Sequence, residues 1–165
     1  MKKYEFTEET KTIKDGIVLH RIKALRDIEL IDGSVVRKGE FGGWLETEAN
    51  LSQESSAWVA GSAEVYGSAE VFGRALVGGA ACVHGDAWIY SDARVTESAR
   101  VFDFAQVCGS AEVFGGASVH GRARIFGSAR VSGSAEIYGD SEIYGNAVVY
   151  GSEKVCGDMS IGENA

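Results

Sequence analysis

The side chains with the most chemistry to offer in this 165-residue chain are few and scattered. His84 and His120 lie in otherwise plain sequence, and an imidazole titrating near neutrality is a ready general base. If the chain is an enzyme, these two are the catalytic candidates. Cys82 and His84 stand two apart, which on a strand puts thiol and imidazole on one face. Two ligands do not complete a zinc site, so no metal and no cofactor is expected. Cys82, Cys108 and Cys156 are odd in number and widely spaced, a pattern of free thiols in a reducing compartment. Arg94, Arg100, Arg122, Arg124 and Arg130 bunch together against Glu97, Asp103 and Glu112. They read either as ion pairs along a stack or as an anion-binding band. The sequence has no phosphate loop, no zinc-finger spacing and no supportable Ser-His-Asp set.

A net charge of −8 argues against generic nucleic-acid binding. Residues 1–50 carry nine basic and ten acidic groups, and the remainder seven and fourteen, so the acidity belongs to the second part. No apolar run is long enough for a transmembrane helix, and the N-terminus lacks the apolar core of a signal peptide. A cytoplasmic protein is the expectation.

What must position these side chains is a repeat. From Val59 to Ile161 a Val or Ile occupies every sixth position, and Ala sits two before it from Ala57 to Ala135 without exception. Gly usually follows two places later, giving units such as Gly-Ser-Ala-Glu-Val-Tyr. A fixed short period announces a solenoid whose units are stabilised by their neighbours. Six residues are too few for a helical repeat but suit a short strand and a corner. Ala and Val, two apart, share one face and suit a narrow interior, and Gly suits a corner needing positive φ. Three such strands close a triangular coil of about 18 residues, stacked at the ordinary strand spacing of roughly 4.8 Å.

This pattern resembles the hexapeptide-repeat superfamily, whose fold is the left-handed parallel β-helix, over Ala57 to Ala165. The usual family pattern puts a small or acidic residue directly after the aliphatic. Here that slot is often aromatic (Tyr66, Phe72, Phe114, Tyr144), with Gly one place later. That variant, together with Leu25-Arg26-Asp27 and the Gly-Gly-Trp-Leu-Glu of residues 42–46, resembles the YdcK-like branch of bacterial and prophage proteins. The resemblance implies an all-β chain: a small N-terminal β cap over residues 1–50, then a β-helix of about six coils over 51–165. Superfamily members also include acyltransferases with a His general base and coenzyme A bound between subunits. Those usually carry an insertion over the active site, which Val59 to Ile161 lacks.

The cap is expected to cover a raw sheet edge. Tyr4 to Phe6 and Ile17 to Ile22 read as strands, and Glu29 to Arg37, turning at Asp32-Gly33, reads as a hairpin. Ala49 to Ala57 spans eight residues, so the first corner carries a two-residue insert. At the other end, Met159 occupies an Ala slot and is placed to plug the core. With Ile161 it marks an end where two copies could meet.

Stacking every third repeat aligns three outward columns: Tyr66, His84, Phe102, His120, Tyr138; then Phe72, Tyr90, Cys108, Phe126, Tyr144; then Ala60, Gly78, Thr96, Phe114, Ser132, Tyr150. The first two are aromatic ladders on neighbouring faces, read as sheet stabilisation or as an interface. The coil from Ser91 to Phe104 breaks the corner rule, with Ser91, Glu97 and Asp103 where Gly is expected. The expected working surface is therefore Tyr66, His84, Arg94, Arg100, Phe102, Asp103, His120, Arg122, Arg124, Phe126 and Tyr138. The expected function is a non-catalytic rigid scaffold or protein-binding module, prophage-type and inhibiting a host or defence protein. Its partner is a protein or itself, as homodimer or homotrimer; the alternative is an acyltransferase using coenzyme A.

Overall fold

A computed structural model describes residues 1–163. The expected β-helix boundary and the family resemblance both run on to Asn164 and Ala165, which lie outside the described residues. The Ala-x-aliphatic units form short strands throughout, and these stack into three parallel sheets. Face 1 aligns Val65, Val83, Val101, Val119, Ile137 and Val155. Face 2 aligns Val71, Ile89, Val107, Ile125, Ile143 and Ile161. Face 3 aligns Val59, Val77, Val95, Val113, Val131 and Val149. Each partner lies 18 residues on, so the expected three-sided coil is present.

The interior is thin and dry. Every Ala of the series from Ala57 to Ala135, and every aliphatic from Val59 to Val155, is buried. Burying a Val or Ile side chain is worth roughly 1.5–3 kcal/mol, so the column of aliphatics carries much of the stability. Backbone bonds join successive coils, as from Glu64 N–H to Ala81 O at 2.9 Å and from Tyr66 N–H to Val83 O at 3.1 Å.

Corners explain the glycines. Gly79 has φ +65°, and a Cβ there would lie 2.8 Å from both N and O of Glu97 one coil on. Ser91, Glu97 and Asp103 nevertheless hold φ of 59°, 60° and 58°. All three belong to a single coil, and the corners before it (Gly73, Gly79, Gly85) and after it (Gly109, Gly115, Gly121) are Gly. Glu97 Oε2 and Asp103 Oδ2 use their lean toward the next coil to accept bonds from Gly115 N–H (2.9 Å) and Gly121 N–H (3.1 Å). Those bonds offset part of the backbone strain that a non-glycine residue meets in this region.

The cap contains β1 (Tyr4–Thr12), β2 (Val18–Ala24), β3 (Ile28–Glu29), β4 (Val35–Val36) and β5 (Phe41–Leu45). β1 pairs antiparallel with β2, and β2 with β5. β3 and β4 form the expected hairpin. β5 then turns parallel to the coils, pairing Trp44 with Glu64 and Leu45 with Val65. Face 1 thus holds seven parallel strands and the solenoid about seven turns, rather than about six. The extra turn escapes the six-residue pattern because β5 uses Gly where the repeat uses Ala. A Cβ on Gly43 would sit 2.6 Å from Ala63 O, and one on Gly42 2.6 Å from the Ile22 side chain.

The cap is locked by polar groups from its first strand. Lys3 is fully buried, and its Nζ donates to Ser55 O (2.9 Å) and Ala57 O (2.7 Å) across the two-residue insert. Burial, aided by nearby Arg26, lowers its pKa to about 7. The Tyr4 hydroxyl lies 2.9 Å from Leu51 O, and its ring meets Trp58 edge-on. At the other end Met159 is 49% exposed and Ile161 partly buried.

Candidate functional site

Residues immediately before each corner position point outward, so the Ala-x-Val-Tyr pattern places aromatics in vertical register. On face 1 this yields one unbroken ladder. Ring centroids are 4.9 Å apart for Tyr66–His84, 5.0 Å for His84–Phe102, 4.7 Å for Phe102–His120 and 5.2 Å for His120–Tyr138. Interplanar angles are 4–7°, so the rings spend their faces on each other and turn their edges outward. The face 2 ladder is broken. Phe72 stacks on Tyr90 and Phe126 on Tyr144, but Cys108 separates the pairs. The third column carries Phe114 under the Arg130 guanidinium at 5.2 Å, without ring stacking among the described residues.

The five arginines divide. On face 3, Arg94 and Arg130 both bond Glu112, at 3.0 and 3.1 Å. On face 2, Arg124 bonds Glu142 at 3.0 Å. Arg100 and Arg122 have no carboxylate partner among the described residues. Arg100 lies over the Phe102 ring at 5.5 Å, and Arg122 is exposed at the corner between faces 1 and 2. Asp86, exposed in the same corner column, likewise forms no ion pair among the described residues. The expected surface is therefore distributed: the five ladder rings, Arg100 and Asp103 lie on or beside face 1 and Arg122 at its corner. Arg94 stands on face 3, and Arg124 and Phe126 on face 2.

Electrostatics on face 1 favour neutral side chains. Burial pushes His84 below its ordinary value, Arg100 adds to the effect and Asp103 opposes it. Burial also raises the Tyr66 hydroxyl and the Cys82 thiol, whose Sγ lies 3.7 Å from Tyr66 Oη. His120 Nδ1 is 3.9 Å from Asp103 Oδ2. Both imidazoles are sandwiched between rings, and neither lines a described cleft. The larger cleft, about 460 Å³, lies instead between the hairpin and the coil corner at Ser56 and Arg74. A second, about 190 Å³, lies over the Arg94–Glu112–Arg130 stack on face 3.

Two exposed aromatics lie outside the expected working surface. Phe104, 57% exposed, occupies a corner slot usually held by a small or charged residue. Trp88, 43% exposed, occupies the middle of an Ala-x-Ile unit on face 2 and meets Phe72 edge-on. The signal was available: a large apolar residue in a slot that points outward. Among the described residues no group of three or more His, Cys, Asp or Glu side chains could hold a metal ion. No helix among them is long and apolar enough to cross a membrane. No protein-family model matches this chain, and no curated protein matches it.

Proposed function

We propose that this chain is a non-catalytic, rigid binding scaffold whose working surface is face 1 and its corner with face 2. One observation carries the reading: the five-ring ladder is continuous, and its outward edges form a flat apolar strip on a backbone fixed coil by coil. Because the ring faces are already stacked, a planar ligand has no free π-face to join. An extended protein surface can meet ring edges and the hydroxyls of Tyr66 and Tyr138 together, as apolar interface centres do. Arg100 and Arg122, without carboxylate partners among the described residues, supply charged contacts at the strip's margin.

Within this reading the solenoid is left-handed and of the YdcK-like, prophage-type branch. It would inhibit a host or defence protein by covering a surface of it. Acyl transfer has less support, because a general base must reach a bound substrate's proton, and His84 and His120 are stacked within the ladder. The test is recovery of bound protein from a lysate of the encoding organism, using wild type, Phe102→Ala and Arg100→Glu. Loss of one partner with both variants is expected. Equal recovery by all three forms rejects face 1 as the working surface.

A further inference from the structure

The face 1 ladder reads the same in both directions: Tyr66, His84, Phe102, His120, Tyr138. Its rungs are evenly spaced, so the strip is symmetric about Phe102. The flanking columns invert in compatible ways. Beside the ladder run Glu64, Cys82, Arg100, Ser118 and Glu136, and Glu64 and Glu136 each hold a lysine, Lys11 at 2.6 Å and Lys154 at 2.7 Å. At the corner run Asp86, Phe104 and Arg122, with the exposed aromatic between an unpaired acid and an unpaired base.

Isologous pairing places a twofold axis in the contact plane, so one patch must complement itself. We propose that face 1 docks a second copy of this chain, antiparallel, about an axis that runs along the strands over Phe102. The proposal rests on reading face 1 as the working surface. Inversion through that axis sets Tyr66 against Tyr138, His84 against His120 and Phe102 against itself. Cys82 meets Ser118, two small side chains that leave the ladders free to close, and Arg100, over the Phe102 ring, meets Arg100, the one like-charge contact in the flanking column. At the corner Phe104 meets Phe104, and Asp86 of each copy meets Arg122 of the other, so two ion pairs form from four groups that lack ion-pair partners among the described residues. The lysine-neutralised Glu64 and Glu136 come together at the margins as two neutral pairs.

A parallel arrangement does not achieve this. With the axis along the solenoid, the corner column faces the column on the other side of the ladder at equal height. Asp86 then meets Cys82, Arg122 meets Ser118, and Asp140 meets the lysine-paired Glu136, so no new ion pair forms. Only the antiparallel pair forms the two Asp86–Arg122 contacts, and these two attractions against one Arg100–Arg100 contact select it.

Sedimentation equilibrium tests the arrangement with exposed side chains, leaving the core untouched, and circular dichroism checks each variant's fold. Wild type should show twice the 17.5 kDa chain mass. Asp86→Arg and Arg122→Asp each oppose like charges at two places, and should raise the dimer Kd at least about tenfold. The double variant D86R/R122D should restore the dimer, as should a mixture of the two single variants. A monomeric wild type overturns the proposal, as does a dimer that ignores the single variants, the signature of end-to-end contact at Met159 and Ile161. Single variants that dissociate without rescue in the double overturn the antiparallel geometry. A monomeric wild type that still loses a foreign partner with Phe102→Ala and Arg100→Glu removes self-association and leaves the face 1 reading standing.

Discussion

Faces 1 and 3 of the solenoid share one backbone, one core and one period, yet their outer surfaces follow different logic. On face 3 the charges are bonded within the chain, with Glu112 shared between Arg94 and Arg130. The slot before its corners holds Ala60, Gly78 and Thr96 in the upper coils. On face 1 that slot holds a ring in five successive coils, and Arg100 has no carboxylate partner among the described residues. The difference teaches that the repeat dictates where side chains go without dictating what they do. A face whose charges are bonded within the chain offers fewer free charges for contact. One that leaves a continuous row of ring edges and a single guanidinium outward offers more.

The comparison breaks most completely if the shared frame is removed. Gly79 forms the corner between face 3 and face 1, and Gly79→Ala adds a Cβ against backbone atoms at 2.8 Å in a left-handed conformation. The expected loss is about 2–4 kcal/mol from strain and overpacking combined, read by urea unfolding. A loss below about 0.5 kcal/mol would mean that neighbouring coils slide apart freely.

A sharper contrast uses one slot on two faces of the same coil. Phe102→Ala removes a ring stacked on both sides and should cost about 1–3 kcal/mol, of which each aromatic contact supplies roughly 0.5–1.5. Thr96→Ala on face 3 should cost under about 0.5 kcal/mol. Equal losses in thermal or urea unfolding would show that stacking adds nothing to face 1.

Acid separates the faces next, because histidines stand in the face 1 ladder and face 3 has none. His84 has its folded pKa lowered below 6.5, so the unfolded chain takes up the proton first. Its contribution is present above pH 6.5 and is lost as pH falls from there through the folded value. Wild type should lose more stability than His84→Phe between pH 7 and about 5, measured by urea midpoints. Identical acid profiles would contradict burial of the neutral imidazole. The smallest effect belongs to face 3. Arg130→Ala should cost about 0.2–1 kcal/mol at low salt, shrinking as salt screens the exposed pair.

The coil and its columns were legible in the sequence because six-residue periodicity and strand alternation leave little choice. Ser91, Glu97 and Asp103 stood out as unusual corners, and positive φ is found at all three. The cap was legible only in part. Thr7 to Thr12, rich in Glu and Lys, carries no apolar alternation, yet it completes β1 as the sheet's edge, where charge discourages further pairing. β5 hid its membership of face 1 behind Gly42 and Gly43. Lys3 gave no sign of burial, since its acceptors are main-chain oxygens 52 and 54 residues away. Pairing among the arginines was decided by which column each occupies, and the charge balance alone could not show that Arg100 and Arg122 would be left over.

The uniform step of 18 residues makes the molecule a ruler. A whole coil can be cut out or copied in without disturbing any corner, so length can vary in units of one rung while the architecture survives. Symmetry about Phe102 cannot survive such an edit, because the midpoint moves off the central ring. In a lineage where rungs are easily duplicated, a preserved count would itself record selection acting on the surface.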